Sequence, residues 1–299
     1  MVAENVFTAA KVGSLLALAI LGLAIGRNAG AVSRNFTDFW GGAALDWTTI
    51  RLVGVAMVGS LFSSDAWNNV TFTGGEIRNP KRNLPLALVL GVSVVSLLYL
   101  ATNFVYLLAL PLDAIQTAAE DRVATAAVSS MLGPAAVYLM AGAIMVSTFG
   151  CINGMVLAGA RVYYAMALDG LFFKRVASIH PDRKTPVASL ATQCIWASLL
   201  TLSGSYGDLL DYVIFAVMLF YILTIAGIFR LRRLRPEMDR PYKALGYPVL
   251  PALYIALAAL IEILLLLYKP SYTWPGLIIV LLGIPVYFLV GRASARAGL

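Results

Sequence analysis

The sequence predicts an all-α integral membrane protein with about eight transmembrane helices. Three observations carry that expectation. Of 299 residues, 60% are hydrophobic and only 12% charged, against about half and about a quarter in soluble domains; mean hydropathy is +0.84. Seven continuous apolar stretches reach bilayer-spanning length, and an eighth is interrupted by polar residues. None alternates with the period of two that a membrane barrel requires, so helices must satisfy the backbone of these spans in lipid.

The spans fall in order at 6–26, 48–73, 84–110, 134–168, 186–203, 207–230, 248–268 and 273–291. The first is not expected to be a signal peptide: "MVAEN" brings an acid and no base, and no small-residue cleavage site follows. The second is the broken one. The fourth exceeds one bilayer crossing, and tilt or continuation into the cytoplasm absorbs the excess. Between spans, "RNAGAVSRNFTDFWGGAALDW" (27–47) is expected to cap the membrane surface. "PLDAIQTAAEDRVATAAVSSMLGP" reads as a short amphipathic helix on the outer side. "LDGLFFKRVASIHPDRKTP" is basic and aromatic, fitted to lie along the cytoplasmic interface; its His180 reads as a surface-loop histidine. No internal repeat or low-complexity tract divides the chain, and 1–299 reads as one domain.

The net charge of +7 sets topology and does not imply nucleic acid. With eight spans both termini share one side. That side carries Arg78, Lys81 and Arg82, four basic residues from Lys174 to Lys184, six from Arg230 to Lys243, and Arg292 with Arg296. The other side has only Arg27, Arg34, Arg51, Arg122 and Lys269. The positive-inside rule therefore places both termini in the cytoplasm.

Polar residues inside spans are the functional candidates. "RLVGVAMVGSLF" forms a half-helix, "AWNNVTF" resumes it, and Ser63, Ser64 and Asp65 stand between. Ser and Asp compete for backbone hydrogen bonds and favour helix ends. Lipid tolerates such a break only where the freed groups meet protein, a cavity or a ligand, the device with which secondary transporters hold substrates at mid-membrane. A polar kink packed on a neighbouring helix is the plain alternative. Asp65 adds a carboxylate that is costly at that depth unless paired, hydrated or protonated. Lys11 sits about five residues into its span, roughly 8 Å of rise, so function and snorkelling both remain open for it. Asn153, in a Gly/Ser-rich run, reads as helix glue, and Arg161 as a snorkelling residue. Glu262 has no visible partner. Tyr212, Phe215 and Phe220 form an aromatic face suited to packing.

Enzyme chemistry is not expected: there is no HExxH, GxSxG or Walker loop, and a single histidine. No filter-like repeat suggests a channel. Cys151 and Cys194 both fall inside spans and suggest neither a disulfide nor a metal site; no cofactor is expected.

At "DAWNNVTFTGGEIRNPKRNLPLAL" (65–88) the chain resembles the L-type amino-acid transporters of the amino acid–polyamine–organocation superfamily. Their sixth helix carries a pattern like DGWN, then a Glu and N-P-x-R-N-L-P. The counterparts here are Asp65-Ala66-Trp67-Asn68, Glu76 and Asn79-Pro80-Lys81-Arg82-Asn83-Leu84-Pro85. The resemblance runs on through "GCINGMVLAGARVYYAMALDG", "HPDRKTPVASL" and "RLRRLRPEMDRPYK" and covers essentially the whole chain.

It implies the twelve-helix, five-helix inverted-repeat fold, with the eight spans as helices five to twelve. The family's first four helices would be missing, among them the one whose Gly-Ser-Gly segment holds the substrate carboxylate. It implies an amino-acid permease or exchanger that moves L-amino acids across the plasma membrane by alternating access. Lys11 would stand where sodium-coupled relatives bind sodium, so transport would be sodium-independent. The unwound stretch would receive the substrate amine, with Phe62 gating, Ser63, Ser64 and Ala66 lining, and Trp67 and Asn68 supporting. Asp65 matches the acid of members that accept cationic substrates. Ala66 departs from the usual glycine. Gly150, Cys151 and Asn153 would face the site. A single-span partner protein is a possible associate, and a truncated, non-transporting membrane protein or scaffold subunit is the rival reading.

Overall fold

The computed structural model describes residues 2–38, 44, 46–182, 184–202, 206–240 and 242–296. Eleven α-helices lie among them, and each of the eight expected spans has its helix. Five are long and apolar enough to cross a membrane: α1 (Val2–Ile25), α4 (Pro80–Ala109), α7 (Ala136–Leu168), α9 (Tyr206–Leu234) and α10 (Val249–Tyr268). The other three are α3 (Trp47–Ser64), cut short by its polar end, α8 (Val187–Thr201) and α11 (Pro270–Arg296). Large apolar side chains such as Leu97, Leu100, Leu139 and Met145 are all at least about two-thirds exposed. A water-facing surface rarely carries so many, and lipid is their natural solvent.

The excess length of the fourth span is unbroken helix, since α7 runs 33 residues, about 50 Å at 1.5 Å per residue. It stops where Gly170 takes a φ of +70°, and the Leu171 N–H returns to the Met166 carbonyl at 2.8 Å, a glycine-ended helix terminus.

The segment between the third and fourth spans differs from expectation. Two short helices form instead of one, α5 (Leu112–Gln116) and α6 (Val123–Leu132), around a 3-10 turn at Ala119–Asp121. Glu120 and Asp121 both take positive φ, which no continuous helix allows. A further helix, α2 (Ala29–Phe36), forms in the first connection. The Asn28 side chain caps it by accepting from the Gly30 and Ala31 N–H groups at 2.9 and 3.2 Å.

Two compact units make up the chain. The first comprises Met1–Ala43 and Leu86–Leu157. Its helices approach closely where Gly22 of α1 meets Val105 of α4, a fully buried side chain. Buried Asn35 of α2 donates to the carbonyls of Leu107 and Leu110 and accepts from the Leu112 N–H. That amide thereby satisfies carbonyls left over at the end of α4.

The second unit comprises Ala44–Pro85 and Ala158–Leu299. Its core is Val58 of α3, Ile214 and Met218 of α9, and Ala258, Ile261 and Leu265 of α10. Gly276 of α11 packs onto Tyr212 and Phe215 of α9. Ser189 of α8, fully buried, donates to the Ala160 carbonyl at 2.6 Å.

Candidate functional site

In the second unit the polar interruption acts as the residue types dictate. Helix α3 ends at Ser64, residues 65–68 form a turn, and a 3-10 helix covers Asn69–Glu76. The two serines fold their hydroxyls back onto α3, Ser63 to the Gly59 carbonyl at 2.6 Å and Ser64 to that of Leu61 at 3.0 Å. Such back-bonding competes with the helical ladder and weakens it locally. Asp65 caps the end in an extended conformation, donating its N–H to the Phe62 carbonyl at 3.1 Å. Among the described residues, no backbone N–H reaches the carbonyls of Ser64 and Asp65.

Ala66 turns the chain with a φ of +65°. An L-residue with a Cβ adopts that region at a cost of about 1–2 kcal/mol, so the glycine usual at this position in the transporters it resembles has a conformational reason. Beyond it, the Asn68 carbonyl accepts from both the N–H and the hydroxyl of Thr71.

The turn is held from α9. Tyr221 donates its hydroxyl to Asp65 Oδ1 at 2.6 Å, with Asn68 Oδ1 as a second acceptor at 3.3 Å. Its ring lies against Trp67, centroids 5.9 Å apart and tilted by 56°. Phe62 and Trp67 keep 37% and 45% of their surface exposed, so the aromatic groups flanking Asp65 remain open to a ligand.

Tyr221 is the residue that sequence reasoning passes over. The expected aromatic face divides differently: Phe215 is core, Tyr212 packs on Gly276, and Phe220 is half exposed. The usable signal is chemical. A phenol in one apolar span seeks a hydrogen-bond partner, and a carboxylate in another supplies it.

In the first unit, Lys11 of α1 donates from Nζ to Cys151 Sγ of α7 at 2.9 Å. Gly150 makes that approach possible: a Cβ there would stand 2.7 Å from Phe7 Cβ and 3.4 Å from Lys11 Cε. The Phe7 and Phe149 rings pack beside it, centroids 5.3 Å apart and tilted by 54°. Asn153 is exposed on the same helix. Lys11, Gly150 and Cys151 thus come together, as do Asp65, Trp67 and Asn68.

Two other polar residues fall elsewhere. His180 lies in the loop after α7 and accepts the Asp182 N–H on Nδ1 at 3.3 Å, a local turn contact. Glu262 of α10 is 6% exposed, and neither carboxylate oxygen has a hydrogen-bond partner among the described residues. Among those residues no group of three or more His, Cys, Asp or Glu is placed to hold a metal ion.

Comparison with known proteins agrees with these features. Residues 2–290 match the family described as "Amino acid permease". The human b(0,+)-type amino acid transporter 1 is 30% identical over 96% of this chain and 57% of its own length. The serine/threonine exchanger SteT of Bacillus subtilis is 32% identical over 81% of this chain and 56% of its own. The mouse large neutral amino acids transporter small subunit 2 is 32% identical over 80% and 44%. The chain spans about half the length of these relatives. These relatives are transporters and exchangers, not enzymes, and with the family match over nearly its entire length the chain belongs to the amino acid permease family.

Proposed function

We propose that the protein moves L-amino acids across the plasma membrane as a sodium-independent permease or exchanger, with 1–299 acting as one permease domain in alternating access. The observation that carries this reading is the end of α3 at Ser64, inside an apolar segment. Among the described residues it leaves the Ser64 and Asp65 carbonyls without backbone partners, beside a carboxylate and two partly exposed aromatic rings. Free carbonyls at a helix break are natural acceptors for a substrate ammonium group. Phe62 gates, Ser63, Ser64 and Ala66 shape the turn, and Trp67 and Asn68 support it; on α7, Gly150, Cys151 and Asn153 are further proposed substrate-binding residues.

Lys11 takes the place of a coupling sodium ion. Its Nζ is committed to α7 through Cys151, which supports a structural cation there over a side chain stretched toward the interface. The basic excess on one set of connections supports cytoplasmic termini. The words "small subunit" in a relative's name support a partner protein, for which a single-span chain is the proposed form.

The test is uptake of radiolabelled leucine, lysine and serine into liposomes carrying the purified protein and preloaded with unlabelled amino acid. The expected result is uptake above protein-free liposomes, unchanged when choline replaces sodium. Sodium-dependent uptake refutes the role given to Lys11. No uptake, together with no thermal stabilisation by any amino acid, leaves a non-transporting membrane protein.

A further inference from the structure

Asp65 is the one carboxylate at the break, and it is already occupied. The Tyr221 hydroxyl lies 2.6 Å from Oδ1, a distance typical of a strong O–H donor on an ionised carboxylate. A phenol has one proton to donate. The 2.6 Å contact therefore takes it, and the 3.3 Å approach to Asn68 Oδ1 is the alternative acceptor. The ring is braced by Trp67 at 5.9 Å. Tyr221 thus has one hydrogen, two acceptors 153 and 156 residues away in sequence, and an aromatic neighbour that limits its swing.

We propose that Tyr221 is a specificity-determining residue that sets the preference between neutral and cationic amino acids by competing for Asp65. This rests on the transport function proposed above. A neutral side chain such as leucine makes no demand on the carboxylate and leaves the phenol bond intact. A cationic side chain such as lysine needs the same carboxylate as counter-charge. It either displaces the hydroxyl, which then turns to Asn68 Oδ1, or shares an oxygen whose charge the phenol has partly neutralised. Both routes weaken cation binding relative to a bare carboxylate, while a neutral side chain meets no such competition.

A hydrogen bond to a charged group that must be broken on binding corresponds to about a tenfold change in affinity. Tyr221→Phe keeps the ring against Trp67 and removes only the hydroxyl. In scintillation-proximity binding with radiolabelled lysine and leucine, that variant is expected to bind lysine about tenfold more tightly. The readout is the lysine-to-leucine affinity ratio, which cancels any effect of the lost phenol bond common to both ligands and should rise about tenfold. The gain should vanish in Tyr221→Phe/Asp65→Asn.

An unchanged or lower lysine-to-leucine ratio in Tyr221→Phe overturns the proposal, and a fall would assign Tyr221 to orienting Asp65 for the cation instead. Absence of binding of either amino acid by the unmodified protein overturns the transport reading and this one with it. A measurement on the unmodified protein needs no variant to fold. Saturation with lysine should shift the tyrosine ultraviolet absorption as the phenol leaves the carboxylate, and leucine should not. Equal spectra for the two ligands overturn the competition.

Discussion

Gly150 offers the sharpest test of how the first unit holds Lys11. Replacing it with alanine would put a Cβ 2.7 Å from Phe7 Cβ, 3.1 Å from Phe7 Cγ and 3.4 Å from Lys11 Cε. Carbon pairs prefer about 3.5–4.0 Å, so α1 and α7 would have to part by roughly 1 Å. Phe7 Cβ is bonded directly to the α1 backbone and cannot rotate away. The same opening would carry Lys11 Nζ beyond hydrogen-bond reach of Cys151 Sγ, now at 2.9 Å. Overpacking of this kind costs about 1–3 kcal/mol. Against it stands the helix-propensity gain of Ala over Gly, about 1 kcal/mol. Gly142, on the same helix with nothing within 4 Å of its added Cβ, supplies the control, because Gly142→Ala carries the propensity gain without the clash. The two variants should therefore differ by the overpacking cost alone. Gly150→Ala is expected to melt several degrees below Gly142→Ala in tryptophan-fluorescence scans, and to lose amino-acid uptake that Gly142→Ala retains. Coincident melting curves with uptake equal in the two variants would refute the close-approach argument and the role it gives Lys11.

Other expectations follow from single residues. Ala66→Gly relieves the positive φ and gives back a similar amount in unfolded-chain entropy, so its melting temperature should stay near that of the parent. Ala66→Val, β-branched in a region such residues avoid, should fall clearly below; equal melting of the two variants would show that the turn does not hold Ala66 left-handed. Glu262→Leu removes a buried carboxylate without a donor and should raise stability by about 1–3 kcal/mol in thermal scans; a loss would show that the carboxylate has a partner in the working protein. Asp46 caps α3 by accepting the Thr49 N–H at 2.8 Å. That bond, first among its causes, lowers the Asp46 carboxyl below its ordinary 3.8. A depressed carboxyl stabilises above its unfolded pKa and loses the effect as pH falls through the folded one. The melting difference between the parent and Asp46→Ala should therefore be constant near neutrality and shrink below pH 3.8; a difference unchanged in acid would exclude the charged cap.

The eight helices and the place where α3 stops are legible from local chemistry. Burial of about 20 apolar residues per span is a property of each segment alone, and so is the competition of Ser63, Ser64 and Asp65 for backbone bonds. The alanine in place of glycine at 66 is equally visible in the letters. Its meaning, a positive φ, needs the backbone. The segment between the third and fourth spans was less legible, because the left-handed pair Glu120 and Asp121 breaks a pattern that composition presents as one helix.

What the amino-acid sequence determined by itself is therefore the class of protein, the order of its helices, the broken span and, through a long motif, its family. Which side chains meet was decided only by tertiary packing. Phe220 and Tyr221 are neighbours in the chain, yet one residue turns a helix by about 100°. The rotation of α9 against α3, set by Val58, Ile214 and Met218 in their shared core, brings Tyr221 to Asp65 and leaves Phe220 half exposed. The same holds for Lys11, whose reach to Cys151 across 140 residues depends on a missing side chain at Gly150, and for Glu262, buried among helices by their packing. Hydropathy and capping are local quantities; the rotation of one helix against another is the sum of many contacts and belongs to no segment of the sequence alone.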